Sequence, residues 1–352
     1  MERRTVRTRY SRLLNVYIQG DVDNPVGKLP FLTVHDVGAN HKSLEPFVND
    51  DSMRLVRERT IWYHVCLPGQ DDHDENLEEK YEFPTMDQLA HDLSDVMDAF
   101  GLTSVMGFGE GAGANILCRF GSYYPNKCVG LMLVDCVATA AGVDEQLLNT
   151  VYNFYEGGAK FVDKFVKHFS GHQQQKKGGQ QQSKWKETIN PNNLSRLIEA
   201  YLKRTDITRL VDKQLRAECL VLVGRQSPRC ESAKVLVRDH MDKRRTTLLV
   251  MDDLAEPIGQ APKKVTRALI LFCKGCGVLL GVPMVGLEKE FRRVNDKQAA
   301  GGSSAEPTET ERSIARRLLR NEKAFGCPSD AHSAAAAASA SSPGPSSSKR
   351  RY

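Results

Sequence analysis

The sequence lacks any apolar stretch long enough to cross a membrane. No window reaches the roughly 18 apolar residues that a transmembrane helix requires, and no apolar segment of a secretory signal follows the charged start at Met1–Arg7. A strong excess of one charge is also missing, because 49 Lys and Arg residues face 44 Asp and Glu residues. The net charge of +5 is too mild to indicate nucleic-acid binding. We therefore expect a cytoplasmic protein without nucleic-acid partners.

The nine cysteines lack the spacing of a zinc site or a disulfide framework. Several lie within apolar runs, as Cys136 does at the end of Leu131–Cys136, which indicates buried free thiols in a reducing compartment. Cys273 and Cys276 form a C-x-x-C pair, but no second pair follows at zinc spacing. We predict neither a metal nor a redox role for this pair.

Short apolar runs alternate with amphipathic helical patterns along most of the chain. The runs predict strands at Leu14–Gln19, Leu29–Val34, Ile61–Cys66, Val105–Met106, Val129–Val134, Cys219–Gly224 and Thr246–Met251. The helical patterns begin after the candidate N-cap Thr85 and recur at Asn192–Leu202, Val235–Lys243 and Lys263–Lys274. This rhythm predicts an α/β fold with a mostly parallel sheet flanked by helices. Functional groups should then lie at the carboxyl ends of the strands.

Composition divides the chain into four parts. Residues 1–142 and 206–296 carry the predicted strands and form the two parts of one core. Residues 143–205 show helical patterns without a strand signal, which predicts a helical cap inserted into that core. Residues 297–352 are rich in Ala, Ser, Gly and Pro without a sustained apolar stripe, which predicts a disordered tail.

A glycine-rich stretch, Gly107-Phe108-Gly109-Glu110-Gly111-Ala112-Gly113, carries the clearest functional signal. It predicts a strand, a sharp turn and a helix. Two chemistries use this geometry: the nucleophile elbow G-x-S-x-G of hydrolases and the dinucleotide fingerprint G-x-G-x-x-G/A. As an elbow, Gly107–Gly111 places Gly109 at the nucleophile position, with Glu110 in the next position, where only the backbone amide is used.

The rest of a Ser-Asp-His triad is also missing from the sequence. The acid should follow the strand that ends at Gly224, but Arg225–Ser227 stands there. The base should follow the last strand, and Asp252–Gln260 contains no histidine. All three triad positions are therefore empty, and we predict no serine-hydrolase activity.

The dinucleotide interpretation stays open as an alternative. Gly107, Gly109 and Ala112 fit the fingerprint, and Asp135 ends the next strand, near the place of a ribose-binding acid. Against it, two or three strands precede a motif that normally belongs to the first βαβ unit. The alternative function is a nucleotide-cofactor-binding enzyme that uses the Gly107–Ala112 turn.

Polar residues at the predicted strand ends are candidates for lining a crevice, namely His35, Asp36, His41, Gly109, Glu110 and Asp135. His35, Asp36 and His41 are potential metal ligands by type, but a loop hydrogen-bonded to its own backbone is the favoured interpretation. We therefore predict no metal and no cofactor. His64 lies in a strand and is interpreted as a core histidine, and the acidic run Asp71–Glu75 as solvated surface.

Several segments resemble the N-myc downstream-regulated (NDR) protein family. They are His35–Lys42, His64–Gln70, Phe83–Ala90, Gly107–Ala114, Asn190–Leu194 and Glu199–Tyr201. The resemblance covers roughly Leu13 to Gly277. It implies an α/β-hydrolase fold with a helical cap, no hydrolytic activity, and roles in stress response, differentiation, signalling and trafficking through protein partners.

The sequence departs from the family in three ways. Cys66 stands where the family usually has Asp, and Glu110 stands where it has a small or hydroxyl residue. The tail lacks the family's serine/threonine repeats, although its basic residues Arg316, Arg317 and Lys349–Arg351 could contact anionic lipid. We expect a non-enzymatic interaction protein whose oligomeric state the sequence leaves open.

Overall fold

The computed structural model describes residues 1–142 and 188–283, which form a single eight-stranded sheet with helices on both faces. The strands are β1 (Glu2–Thr8), β2 (Arg12–Gln19), β3 (Leu29–Val34), β4 (Thr60–Cys66), β5 (Val105–Glu110), β6 (Cys128–Val134), β7 (Glu218–Gly224) and β8 (Thr246–Met251). Their order is β1-β2-β4-β3-β5-β6-β7-β8. Strands β3 to β8 run parallel, whereas β2 is antiparallel to both β1 and β4. The predicted fold class is confirmed.

The helices of the described residues are α1 (Glu45–Asn49), α2 (Arg54–Arg57), α3 (Met86–Ala99), α4 (Ala112–Tyr123), α5 (Pro191–Leu202), α6 (Thr208–Gln214), α7 (Cys230–Val235), α8 (Pro257–Gln260) and α9 (Pro262–Gly275). Short 3-10 turns lie at Asp51–Met53 and Pro125–Lys127, and a π turn at Leu236–His240 extends α7. Of the predicted cap, only α5 and its neighbours belong to the described residues. The rest of the cap and the predicted tail lie outside them.

Alternating side chains of the parallel strands enter two separate apolar cores. In β6, Leu131 and Leu133 pack with the core that includes α3 and α4. Met132 and Val134 point to the opposite face and pack with the core that includes α9. Because successive side chains of a strand point to opposite faces, a continuous apolar run is what a sheet covered on both sides requires.

Helix α3 begins where the sequence predicts. The Thr85 hydroxyl accepts a hydrogen bond from the Gln88 amide (3.2 Å), and the Gln88 side chain accepts one from the Thr85 amide (2.9 Å). This capping box satisfies two of the four amides that a helix start leaves without partners. The buried face that follows, which includes Leu89, Leu93 and Val96, covers the sheet.

The structure differs from the prediction at β1 and at the helix after β7. Strand β1 was not predicted, because its residues are mostly polar and only Val6 and Thr8 are buried. The helix predicted to begin at Val235 begins five residues earlier, at Cys230. No helix of the two described ranges combines the length and the apolar content that a membrane span needs.

Candidate functional site

The sharp turn between β5 and α4 lies at Gly111, two residues later than the sequence predicted. Gly111 has φ 53° and ψ −112°, in the positive-φ region that favours glycine. Gly107 and Gly109 lie inside β5, where Gly109 pairs with Val34 of β3. The predicted elbow Gly107–Gly111 is therefore corrected to Gly109–Gly113, with Gly111 at the nucleophile position and Glu110 before the turn rather than after it.

The glycines before and after the turn are required by packing. A Cβ on Gly109 would lie 2.8 Å from the Ala114 nitrogen, and one on Gly113 would lie 2.1 Å from the Val34 carbonyl oxygen. These contacts are shorter than real Cβ atoms show, so any side chain would push α4 away from the sheet. The glycine pattern thus fixes how closely the start of α4 approaches β3 and β5.

The carboxylate of Asp36 fills the space above the turn. A Cβ on Gly111 would lie 2.1 Å from the Asp36 Cγ and Oδ1 atoms. Asp36 Oδ1 accepts hydrogen bonds from the backbone amides of Ala112 and Val37, both at 2.8 Å. In α/β-hydrolases, the amide after the nucleophile and one from the loop after the third strand form the oxyanion hole. Asp36 therefore occupies both the nucleophile side-chain position and the oxyanion position.

Arg229 holds the second oxygen of this carboxylate. Its Nη1 donates to Asp36 Oδ2 at 2.7 Å, and the arginine and aspartate are only 5% and 8% exposed. An ion pair this deeply buried, with additional amide donors on the carboxylate, keeps Asp36 in one place. Arg229 follows β7 by five residues and lies beyond Arg225–Ser227, where the pattern of a triad places its acid, so the sequence does not mark it as a site residue.

Two further carboxyl groups lie at the same edge of the sheet, at the ends of β5 and β6. Burial raises the pKa of Glu110 to about 8, and the charges of Asp36, Asp135 and Glu256 raise it further. Burial also raises the pKa of Asp135 to about 6, although the charge of Arg229 opposes that shift. Glu110 is therefore mostly protonated at neutral pH, whereas Asp135 is mostly ionised.

His35 has both ring nitrogens engaged. Its Nδ1 lies 2.8 Å from the Asp36 carbonyl oxygen and so donates a hydrogen bond, and its Nε2 accepts one from the Leu67 amide at 3.0 Å. Burial lowers the pKa of this imidazole to about 4. The ring is thus neutral and in a fixed tautomer, which suits a structural role better than proton transfer.

His41 makes its contacts with β2 and with the loop after β4. Its ring stacks on Tyr17 with 3.4 Å between the centroids, and its Nδ1 lies 3.0 Å from Asp71 Oδ1. Asp71 is only 5% exposed, so the interpretation of the acidic run as solvated surface is wrong at its first residue. The core interpretation of His64 is correct, because Thr33 Oγ1 lies 2.8 Å from its Nδ1 and Gln19 Oε1 lies 3.2 Å from its Nε2.

A triad would have its acid after β7 and its base after β8. Other interactions occupy both places. Arg225 forms an exposed ion pair with Asp252. The Gln260 side chain accepts hydrogen bonds from the amides of Ala255 and Glu256, at 2.9 and 3.0 Å. No histidine lies between His240 and His332 in the sequence.

Comparison with known proteins identifies the family of the chain. The model of the Ndr family matches residues 4–280. The chain belongs to the Ndr family. It is 40% identical over 285 residues to the uncharacterized protein ZK1073.1 of Caenorhabditis elegans, covering 79% of this chain and 86% of that protein. It is 29% identical over 290 residues to protein NDRG4-A of Xenopus laevis, covering 79% and 73%.

Solved structures with the same fold include hydrolases. A thermophilic esterase from Thermogutta terrifontis aligns with a TM-score of 0.63 and 17% identity, over 78% of this chain and 99% of the esterase. A bacterial membrane phospholipase A aligns with a TM-score of 0.60 and 14% identity, over 79% and 87%. At such low identity the likeness establishes the α/β-hydrolase fold and does not extend to activity.

Proposed function

We propose that this Ndr-family chain is a non-enzymatic protein of the cytoplasm that acts through protein partners in signalling, stress response, differentiation or trafficking. The observation that supports the non-enzymatic part is the position of the Asp36 carboxylate. It fills the space that a nucleophilic side chain on residue 111 would need. It also accepts hydrogen bonds from the two backbone amides that would stabilise an oxyanion. The roles of the family supply the interaction part.

The chemical consequence follows from charge and space. Acyl transfer needs a nucleophile, a base that activates it and donors aimed at the developing oxyanion. Here the donors already hold a carboxylate, which would repel a second anion at the same place. Without a nucleophile at Gly111 or a histidine in Asp252–Gln260, the site lacks a nucleophile and its base, and its oxyanion donors are already occupied.

The nucleotide-binding alternative is disfavoured by the same contacts. A pyrophosphate would need free amides at the start of α4, but the Ala112 amide donates to Asp36. Gly107 and Gly109 lie within β5 and not in a phosphate-binding turn. An anionic ligand would also have to displace a buried aspartate that Arg229 neutralises.

A first experiment tests the absence of hydrolysis. We expect the full chain to show no turnover of activated p-nitrophenyl esters above the buffer rate, and no labelling by a fluorophosphonate probe. A heat-unfolded sample of the same preparation is the control for ester cleavage that does not need a folded protein. Saturable turnover that survives repurification and is lost on unfolding would overturn the proposal.

A second experiment tests the interaction part. Proximity labelling by the full chain in cells, with a catalytically active α/β-hydrolase of similar size as control, should identify proteins specific to this chain. At least one of them should form a complex with the purified full chain. The interaction proposal fails if no candidate binds in the purified system.

A further inference from the structure

Three buried side chains with different metal-ligand atoms meet beside β2. His41 comes from the loop after β3, Cys66 is the last residue of β4, and Asp71 lies in the loop that follows. They are 6%, 2% and 5% exposed. One nitrogen, the sulfur and one carboxylate oxygen lie within 4.8 Å of one another.

The contact between His41 and Asp71 is a short, buried ion-pair contact that lacks the geometry of a well-aligned hydrogen bond. Their Nδ1 and Oδ1 atoms are 3.0 Å apart, yet among the described residues both atoms are buried without a hydrogen-bond partner. Two buried polar atoms that lie close together but do not point at each other can be satisfied by a third species between them. A cation would satisfy both at once.

The neighbouring residues hold these atoms in fixed orientations. Asp71 Oδ2 accepts hydrogen bonds from the Tyr17 hydroxyl and the Asn15 amide, each at 2.8 Å, which leaves Oδ1 toward His41. The Tyr17 ring is nearly parallel to the imidazole, at 4°, and so fixes its plane. Hydrogen bonds such as those on Asp71 Oδ2 are typical of carboxylates that bind metal ions.

We propose that His41, Cys66 and Asp71 bind a divalent transition-metal ion, for which zinc is the best match. Thiolate and imidazole favour zinc over magnesium or calcium, and a tetrahedral site places a nitrogen and an oxygen about 3.3 Å apart. The 3.0 Å contact and the 4.8 Å limit on the cluster are compatible with this spacing. Three protein ligands leave one coordination position for water or a small ligand.

Charge supports a divalent ion. When the Cys66 thiol binds the ion it releases its proton to solvent, so a thiolate and the Asp71 carboxylate together contribute two negative charges. A divalent ion neutralises both, with neutral His41 as the third ligand. The ion would link the loop after β3 to the end of β4. Through Asp71, which is hydrogen-bonded to Asn15 and Tyr17, it would also be linked to β2.

The test uses the full chain, stripped with a chelator and titrated with Co²⁺ and then with Zn²⁺. We expect about one ion per chain at this site and a thiolate-to-Co²⁺ charge-transfer band in the near ultraviolet. The Cys66→Ser variant should lose the band, and Cys66→Asp should keep the ion without it. Cys230→Ser and Cys327→Ser are the matched controls and should keep both.

X-ray absorption of the zinc-loaded parent gives a result that needs no variant. One sulfur should lie about 2.3 Å from the zinc. A band that survives Cys66→Ser, zinc without a sulfur ligand, or the absence of stoichiometric binding would each overturn the proposal. The last result would mean that the cluster is a network of neighbouring polar groups only.

Discussion

Asp36 takes the place at Gly111 that a side chain on that residue would otherwise occupy. The sequence correctly placed Asp36 and Glu110 at strand ends, since parallel strands bring their carboxyl ends to one edge. It could not fix the turn, because glycines at 107, 109, 111 and 113 fit the elbow pattern in registers two residues apart. Only the positive φ of Gly111 separates these registers. The contact with Arg229, 193 residues from Asp36, has no local signal at all.

The close approach of Asp36 to Gly111 predicts that substitutions at these two positions have strongly coupled effects on the free energy of unfolding. Gly111→Ala should lower the free energy of unfolding by about 3 kcal/mol, from positive-φ strain and from the clash with Asp36. In the Asp36→Ala background, the same change should cost at least about 1 kcal/mol less, because the clash is gone. Urea denaturation of the four proteins gives the coupling.

Gly101→Ala is the control for backbone strain alone. Gly101 also has positive φ, at 64°, but a Cβ there would meet nothing within 4 Å. We expect a cost of about 1 kcal/mol. If Gly111→Ala costs no more than Gly101→Ala, or if the costs at 36 and 111 simply add, Asp36 does not fill the turn.

At the scale of secondary structure, the sequence predicts those helices and strands whose patterns lie within a few neighbouring residues. The start of helix α3 was predicted because its N-cap candidate Thr85 is followed directly by apolar residues at helical spacing. Strand β1 was missed because long-range contacts stabilise it. All seven of its residues pair with β2, and the carboxylate of buried Asp92 on α3 accepts the amides of Tyr10 (3.0 Å) and Ser11 (2.7 Å) in the connecting turn.

A buried charge on a helix is equally hard to predict from local sequence patterns. Helix α4 was predicted from its apolar pattern, but Arg119 on this helix is fully buried. Its guanidinium donates to Asn115 Oδ1 (2.9 Å), Asp87 Oδ1 (2.5 Å) and the Thr205 carbonyl oxygen (2.7 Å). An arginine can be buried in this way because each of its three nitrogens finds a partner, and two of those partners, Asp87 and Thr205, are distant in sequence.

The Asp92 contact predicts that α3 stabilises the β1–β2 hairpin. Asp92→Ala leaves two amides without their acceptor and should lower the free energy of unfolding by about 2 kcal/mol. Hydrogen exchange should accelerate mainly in β1 and the turn at Tyr10–Ser11, since a hairpin at the sheet edge opens locally. Asp98→Ala on the same helix removes an exposed contact with Lys127 and should change little. Equal exchange in both variants would refute the role of Asp92.

The whole molecule concentrates acidic groups at one edge of its sheet. Besides burial, the charges of Asp36 and Glu256 raise the pKa values of Glu110 and Asp135 there, and Arg229 is a buried cation among these groups. Parallel strand direction explains this convergence, because every crossover returns the chain to the same end of the sheet. The consequence is a pH dependence that none of the individual strands would predict.

The signs of the pKa shifts separate two pH windows. Glu110 has its pKa raised from 4.5 to about 8, so its contribution to stability is complete below about pH 4.5 and is lost as the pH rises through 8. His35 and His64 have pKa values lowered by burial to about 4 and about 3, so their contributions are lost as the pH falls below about 6.5. Between pH 8 and 6.5 the protein should therefore become more stable on acidification.

The Glu110→Gln variant isolates the contribution of the Glu110 carboxyl group to the pH dependence of stability. A glutamine keeps the shape of the protonated acid but cannot ionise, so the variant should unfold at higher urea concentration than the parent at pH 8.5. The difference should shrink steadily as the pH falls and reach a constant value below about pH 4.5, where Glu110 is protonated in both the folded and the unfolded parent. Glu231→Gln, on the exposed face of α7, is the control and should follow the parent at every pH. A parallel offset between the Glu110→Gln and parent curves from pH 5 to 8.5 would show that Glu110 ionises in the folded protein near its ordinary pKa, and that the acidic edge does not govern the stability of the fold.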